Sequence, residues 1–96
     1  MRPSEVFEQN REYVREAVGR YRTSNPRVFG SILHGTDKEG SDIDLLIDTL
    51  PGATLFDLIG LEQELENKLG VPVDVVVADA LHRFIRDRVI AEAQPV

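Results

Sequence analysis

Apolar residues recur at helical spacing in three parts of the chain. The first set predicts a helix with Ser4 as its N-cap, ended by the turn at residues 23–26. A second set predicts a helix from Leu55 to Leu69, ended by Gly70, and a third predicts a last helix capped by Asp79. The apolar positions of the three helices are Val6, Phe7, Tyr13, Val14, Ala17, Val18 and Tyr21; Leu55, Leu58, Leu61, Leu65 and Leu69; and Leu81, Phe84, Ile85 and Val89.

Three short segments between these helices have the pattern of strands. Residues 27–29 form a candidate strand that runs into Gly30, residues 43–48 alternate between apolar and polar, and residues 71–77 are rich in valine. A polar loop covers residues 35–40. The element order predicts one α/β (α+β) domain over residues 1–96, with a small mixed sheet of three to four strands flanked by helices.

Composition excludes several kinds of site. Of the 96 residues, 42% are hydrophobic and 29% are charged, which is typical of a globular domain. The chain has no cysteine, which excludes disulfides, thiolate metal sites and thiol catalysis, and its two histidines disfavour a histidine-built zinc site. The start of the chain lacks the apolar stretch of a secretory signal, so we expect a cytoplasmic protein.

The net charge of −6 is concentrated in the middle of the chain. Residues 30–82 contain two lysines and eleven acidic residues, a net charge of −9. This balance disfavours binding to duplex nucleic acid, because such binding depends on basic residues that neutralise phosphates. Part of this charge is interpreted as the solvated face of the second helix, namely Glu62, Glu64 and Glu66.

Aspartates lie within the predicted strands, where they are least expected. In a strand Asp42 and Asp44 would point to one face, about 6.6–7 Å apart, and could converge on a pair of cations. Taken alone, such a pair is better explained by an exposed strand end. Asp74 is embedded in a valine-rich strand, where an unpaired buried carboxylate is costly. An exposed edge strand is the alternative there, but a third metal-binding carboxylate is favoured, whereas Asp48 is assigned to strand termination.

Gly30 and Ser31 follow the first predicted strand. A glycine lets a bulky anion approach the backbone, and a serine that opens a helical turn offers a hydroxyl group to phosphate oxygens. By itself such a pair is most often only a turn. The spacing favours a functional pair over an ordinary turn, because ten residues separate Ser31 from Asp42.

The combination of Gly-Ser, ten residues, Asp-Ile-Asp and a later Val-Asp-Val resembles the DNA polymerase β-like nucleotidyltransferase superfamily. More closely, it resembles the minimal nucleotidyltransferase (MNT) domain proteins, the antitoxins of HEPN/MNT toxin–antitoxin pairs. The resemblance covers about residues 28–77 and implies the nucleotidyltransferase fold. It also implies that Gly30 and Ser31 hold a nucleoside triphosphate and that Asp42, Asp44 and Asp74 bind two Mg²⁺ ions. The family often has arginine where this chain has His34.

The resemblance implies an enzyme that transfers AMP from ATP, with Asp74 placed near the attacking hydroxyl group. Larger relatives add a second domain that holds the acceptor, so we expect another molecule to supply it here. The implied acceptor is a tyrosine of a HEPN-domain ribonuclease toxin, which the reaction would inactivate. Two alternatives stay open: an antitoxin that only masks its toxin, and a subunit of a small-molecule nucleotidyltransferase. The arginine-bearing terminal helices and any exposed apolar residues near Phe84 and Ile85 could dock the toxin, although ordinary solubilising charge explains the arginines more simply.

Overall fold

A computed structural model describes all 96 residues as five α-helices around a four-stranded sheet. This mixed α/β architecture confirms the predicted fold class. The bounds along the chain are α1 Pro3–Gln9, α2 Arg11–Arg20, β1 Thr23–Phe29, α3 Ser31–His34, β2 Ile43–Thr49, α4 Leu55–Leu69, β3 Val73–Val77, a 3₁₀ turn Ala78–Ala80, α5 Arg83–Glu92 and β4 Gln94–Pro95. No helix is both long and apolar enough to cross a membrane.

The strands lie in the order β3-β2-β1-β4, with mixed directions. β1 is antiparallel to both β2 and β4, whereas β2 and β3 run parallel, joined by α4. The apolar residues of β2 pack with those of α1, α2 and α4 in one core, and Leu45, Ile47 and Leu61 are almost completely buried. Because side chains alternate along a strand, Asp44 and Asp48 project from the face of β2 opposite this core.

The predicted first helix is two helices, with α1 and α2 separated at Asn10. The Asn10 side-chain amide donates a hydrogen bond to the carbonyl oxygen of Val6 (2.8 Å), which competes with regular helix bonding. The predicted N-cap is also wrong, because α1 begins at Pro3, a residue favoured in the first helical turn. The backbone N–H of Ser4 donates instead to Asp37 (2.9 Å).

Two other boundaries differ from the prediction. β1 begins at Thr23, because an irregularity in its pairing between Ser24 and Arg27 lets the strand continue through a segment predicted to be a turn. The last helix begins at Arg83 and is capped by His82, whose Nδ1 accepts the backbone N–H of Phe84 (3.2 Å). Asp79, the predicted cap, lies in the 3₁₀ turn.

The acidic residues of α4 are not a solvated face. Glu66 and Glu62 accept the backbone N–H groups of Val73 (3.0 Å) and Val75 (3.1 Å) on the outer edge of β3. Glu64 accepts hydrogen bonds from the hydroxyl groups of Tyr13 and Tyr21, both at 2.9 Å, and pairs with Arg20. These carboxylates therefore join α4 to the edge strand and to α2.

Candidate active site

β2 and β3 bring two of the predicted aspartates side by side. Their parallel register pairs Asp44 with Asp74, on neighbouring strands that lie about 4.8 Å apart. Asp42 is exposed just before β2, two residues from Asp44. All three predicted carboxylates therefore lie near the start of the parallel strand pair.

Gly30 lies against the central carboxylate. In the antiparallel register of β1 and β2, Phe29 pairs with Asp44, and the chain turns at Gly30 with φ of +74°. A methyl group at this position would overlap Oδ2 of Asp44. Glycine is thus required at position 30 both by its backbone conformation and by its neighbour.

Ser31 opens the short helix α3, as the sequence predicts. The helix is a single turn, in which the Gly30 carbonyl oxygen accepts the backbone N–H groups of Leu33 and His34, both at 3.2 Å. Ser31 is half-buried and directly follows the glycine beside Asp44. The structure thus brings all five predicted site residues, Gly30, Ser31, Asp42, Asp44 and Asp74, to one end of the sheet.

Electrostatics at this end of the sheet disfavour three ionised carboxylates. Burial raises the pKa of Asp44 above its usual value, and the negative charges of Asp74 and Asp42 raise it further. A cation beside these groups would reverse that effect. The donor set fits Mg²⁺, which binds carboxylate oxygens and usually completes its shell with water and substrate phosphates.

The three carboxylates do not form a ready-made metal cage. No three Asp, Glu or His side chains of the chain are grouped so that they could hold a metal ion on their own. For Mg²⁺ such a cage is not required, because one or two carboxylates with phosphate oxygens are its common ligands. These carboxylates could therefore hold Mg²⁺ only together with water or phosphate oxygens.

Asp37, in the loop between Ser31 and Asp42, is a buried carboxylate that the sequence did not reveal. Its side chain has no exposed surface and accepts hydrogen bonds from Arg2 Nη2 (2.8 Å) and the Ser4 backbone N–H (2.9 Å). Arg2 also donates to the carbonyl oxygens of Gly35 and Asp37. These contacts fasten the loop between Ser31 and Asp42 to the N-terminal segment. The Ser4 N–H, together with Arg2, holds the pKa of Asp37 below its usual value.

His34 and Asp48 have partners away from the carboxylates. His34 is exposed at the end of α3, with Nε2 3.5 Å from a carboxylate oxygen of Glu92 on α5. Asp48 pairs with the buried Arg27 (2.7 Å). The one distinct apolar cleft lies between α1, β1 and α3, and none of the five predicted site residues lines it; its lining residues are Ser4, Phe7, Glu8, Val28, Ile32 and Leu33.

Comparison with known proteins agrees with this geometry. The model of the nucleotidyltransferase domain family matches residues 8–96. The chain belongs to this family. It is similar to the protein adenylyltransferase MntA of Thermococcus cleftensis, with 42% identity over 65 residues, which are 68% of this chain and 66% of that protein. The resemblance to minimal nucleotidyltransferases is thereby confirmed, and the protein is a nucleotidyltransferase.

Solved structures show the same fold. The structure of a candidate minimal nucleotidyltransferase superposes with a TM-score of 0.88 at 39% identity, over 97% of this chain and 95% of that one. The crystal structure of a toxin–antitoxin with AMP-PNP matches with a TM-score of 0.77, over 90% of this chain and 71% of that one. Its identity is 20%, and the likeness is one of fold.

Proposed function

We propose that this nucleotidyltransferase is an antitoxin that transfers AMP from ATP to a tyrosine of a cognate HEPN-domain ribonuclease toxin, with Mg²⁺ as cofactor. The observation that carries the proposal is the close approach of Gly30, Asp44 and Asp74 at one end of the sheet. The protein adenylyltransferase activity in the name of the MntA relative supports the reaction. The toxin–antitoxin of the same fold, described with AMP-PNP, supports the partner and the nucleotide.

Each site residue has a role in this reaction. Gly30 leaves room for the triphosphate beside Asp44, and the Ser31 hydroxyl group donates to a phosphate oxygen. Mg²⁺, when bound by Asp42, Asp44 and Asp74, would offset the negative charge of the triphosphate and of the departing pyrophosphate. The turn at Gly30 and the paired strands fix these groups relative to one another, so that positioning lowers the barrier.

The chemical step is an in-line displacement at phosphorus. The oxygen of the tyrosine hydroxyl group attacks the α-phosphorus of ATP, and the bond from that phosphorus to the bridging oxygen of the β-phosphate breaks. AMP becomes bonded to the tyrosine oxygen, and pyrophosphate leaves. Asp74, exposed at the edge strand, accepts the proton of the attacking hydroxyl group.

The experiment combines the protein with labelled ATP, Mg²⁺ and the purified product of the neighbouring gene. We expect Asp42→Asn and Asp44→Asn to abolish label transfer. Asp79→Asn is the matched control, because Asp79 is an exposed aspartate beyond the opposite end of β3. Label transfer that survives the first two substitutions contradicts the proposed site.

The same variants separate catalysis from masking. If the antitoxin acts by AMP transfer, Asp44→Asn should fail to suppress the ribonuclease activity of the toxin. If suppression is unchanged in both Asp42→Asn and Asp44→Asn, the protein neutralises its toxin by contact and the catalytic proposal is wrong.

A further inference from the structure

The loop of residues 35–42, here called the site loop, joins the helix that begins at Ser31 to Asp42. It contains no aliphatic or aromatic residue, so burial of apolar surface does not hold it in place. Of its residues only Asp37 is buried. The separation between Ser31 and Asp42 therefore depends on the polar contacts made at Asp37.

Arg2 makes most of these contacts with a single planar group. Its Nε donates to the carbonyl oxygen of Asp37 (3.1 Å), and its Nη2 donates to the Asp37 carboxylate (2.8 Å) and to the carbonyl oxygen of Gly35 (3.3 Å). The N–H groups of a guanidinium point in fixed directions. These three hydrogen bonds therefore fix the path of the site loop between Gly35 and Asp37.

Arg2 is in turn attached to an element that belongs to the core. It directly precedes α1, in which Val6 and Phe7 are buried. The second carboxylate oxygen of Asp37 accepts the backbone N–H of Ser4 (2.9 Å), one of the first-turn donors that have no partner within a helix. The site loop is thus fastened to a helix that the apolar core keeps in position.

One turn closes each half of the site loop. In the first half the backbone N–H of Thr36 donates to the Ser31 carbonyl oxygen (3.0 Å). In the second half the backbone N–H of Ser41 donates to the Lys38 carbonyl oxygen (2.9 Å), and the Ser41 hydroxyl oxygen accepts the backbone N–H of Lys38 (3.0 Å). The first turn ends at Ser31 and the second directly precedes Asp42, so a displacement of the residues between them moves one end of the loop against the other.

We propose that Arg2 is a positioning residue of the nucleotide site, which sets the separation between Ser31 and Asp42 by holding the site loop. The inference rests on the proposed function, in which these two residues bind the triphosphate and Mg²⁺. A nucleotide with its Mg²⁺ contacts both ends of the loop at once, so a loop that is ordered in advance binds it more tightly than one that must be ordered on binding. Arg2 acts through the loop rather than by contact with the reacting atoms.

Nucleotide binding is measured by calorimetry over a series of Mg²⁺ concentrations, without any acceptor. The probe is an ATP analogue with a methylene bridge between the α- and β-phosphates, which binds but cannot transfer AMP. We expect Arg2→Ala to raise the Kd of the analogue at a fixed Mg²⁺ concentration by roughly tenfold, the lower end of the effect of residues that orient metal ligands. Arg2→Lys should give an intermediate Kd, because an ammonium group keeps the charge without the fork of donors, and it carries the same test if Arg2→Ala does not fold.

Arg22→Ala is the matched control. Arg22 Nη1 donates to the Gly52 carbonyl oxygen (3.0 Å) and so holds the loop after β2, at the end of that strand away from Asp44. We expect its removal to leave the Kd of the analogue unchanged. All variants are compared well below their unfolding temperatures, so that a loss of stability alone does not change Kd.

Hydrogen exchange gives a second measurement, which does not depend on the nucleotide. The amides of Thr36 and Ser41 should exchange faster in Arg2→Ala than in the wild-type chain, because the two turns of the site loop lose their support. In Arg22→Ala both amides should exchange at the wild-type rate. Wild-type exchange in Arg2→Ala would contradict the role of Arg2 in holding the loop.

The outcomes separate this inference from the proposed function. An unchanged Kd in Arg2→Ala shows a purely structural contact and overturns the inference, as does an equal rise of Kd in Arg2→Ala and Arg22→Ala. If the wild-type chain binds the analogue with Mg²⁺ in a way that depends on Arg2, but does not label the product of the neighbouring gene, the proposed function is wrong and the positioning role stands. If the wild-type chain does not bind the analogue at all, both are overturned.

Discussion

At Gly30 the backbone lies so close to Asp44 that an added methyl group would overlap the carboxylate oxygen Oδ2. Gly30→Ala should cost on the order of 1–3 kcal/mol of stability, because a left-handed conformation is strained for alanine, and should displace the Asp44 carboxylate. Gly70→Ala is the control for label transfer, since Gly70 also has a positive φ (+73°), in the ordinary left-handed helical conformation, but nothing lies within 4 Å of the added methyl group. Urea unfolding measures the stability of the two variants, and label transfer from ATP measures their activity. Equal transfer by the two variants would contradict the role of Gly30.

Asp37 makes the stability of the folded protein depend on pH, and the direction of its pKa shift fixes the sign of that dependence. Its folded-state pKa lies below the unfolded value of about 3.9, so its stabilising effect is complete above that pH and is lost as pH falls through the folded value. We expect Asp37→Asn to lower the urea midpoint at pH 7 and the difference from wild type to shrink below about pH 4. A difference that stays constant from neutral pH down to pH 3 would show that the charge of Asp37 is not what stabilises the loop.

The residues missed by the sequence share one physical cause. Asp37 takes its partners from Arg2 and Ser4, more than thirty residues away, and Glu66 takes its partner from the next strand. No local pattern reports such contacts, because periodicity describes only one element at a time. That the glycine, serine and aspartates lie at one end of the sheet was predictable, because their spacing along the chain resembles that of a known family.

At the scale of elements, the free edge of β3 depends on α4. Glu62 and Glu66 accept its outward N–H groups, so Glu66→Ala and Glu62→Ala should each lower the free energy of unfolding by about 1 kcal/mol. Hydrogen exchange at the amides of Val73 and Val75 should accelerate in the same variants. Gln63→Ala, on an exposed position of the same helix, is the control. Unchanged exchange in the glutamate variants would refute this role.

Elements were predictable where the chain carries strong local signals. Helix α4 has both its predicted bounds, because apolar spacing and Gly70, in left-handed conformation, define it. β4 was not predicted, since a two-residue strand has no pattern and exists only through its pairing with β1. The break at Asn10 was missed because apolar spacing continues across it.

At the scale of the whole molecule, the uneven charge has two structural explanations. Part of the central acidity belongs to Asp42, Asp44 and Asp74 at one end of the sheet, and part satisfies backbone and tyrosine donors through α4. The basic α5 lies outside this acidic body and buries nothing. The charge pattern thus concentrates acidic groups around the proposed cation and triphosphate site, whereas residues 83–96 carry a net charge of +1.

The position of the label in ATP tests the reaction most directly. The wild-type chain, Mg²⁺ and the neighbouring gene product are incubated in parallel with ATP labelled at the α-phosphate or at the γ-phosphate. AMP transfer predicts that only the α-label becomes covalently attached to the acceptor, while the γ-label is released as pyrophosphate. Attachment of the γ-label, or of neither label, would contradict the account.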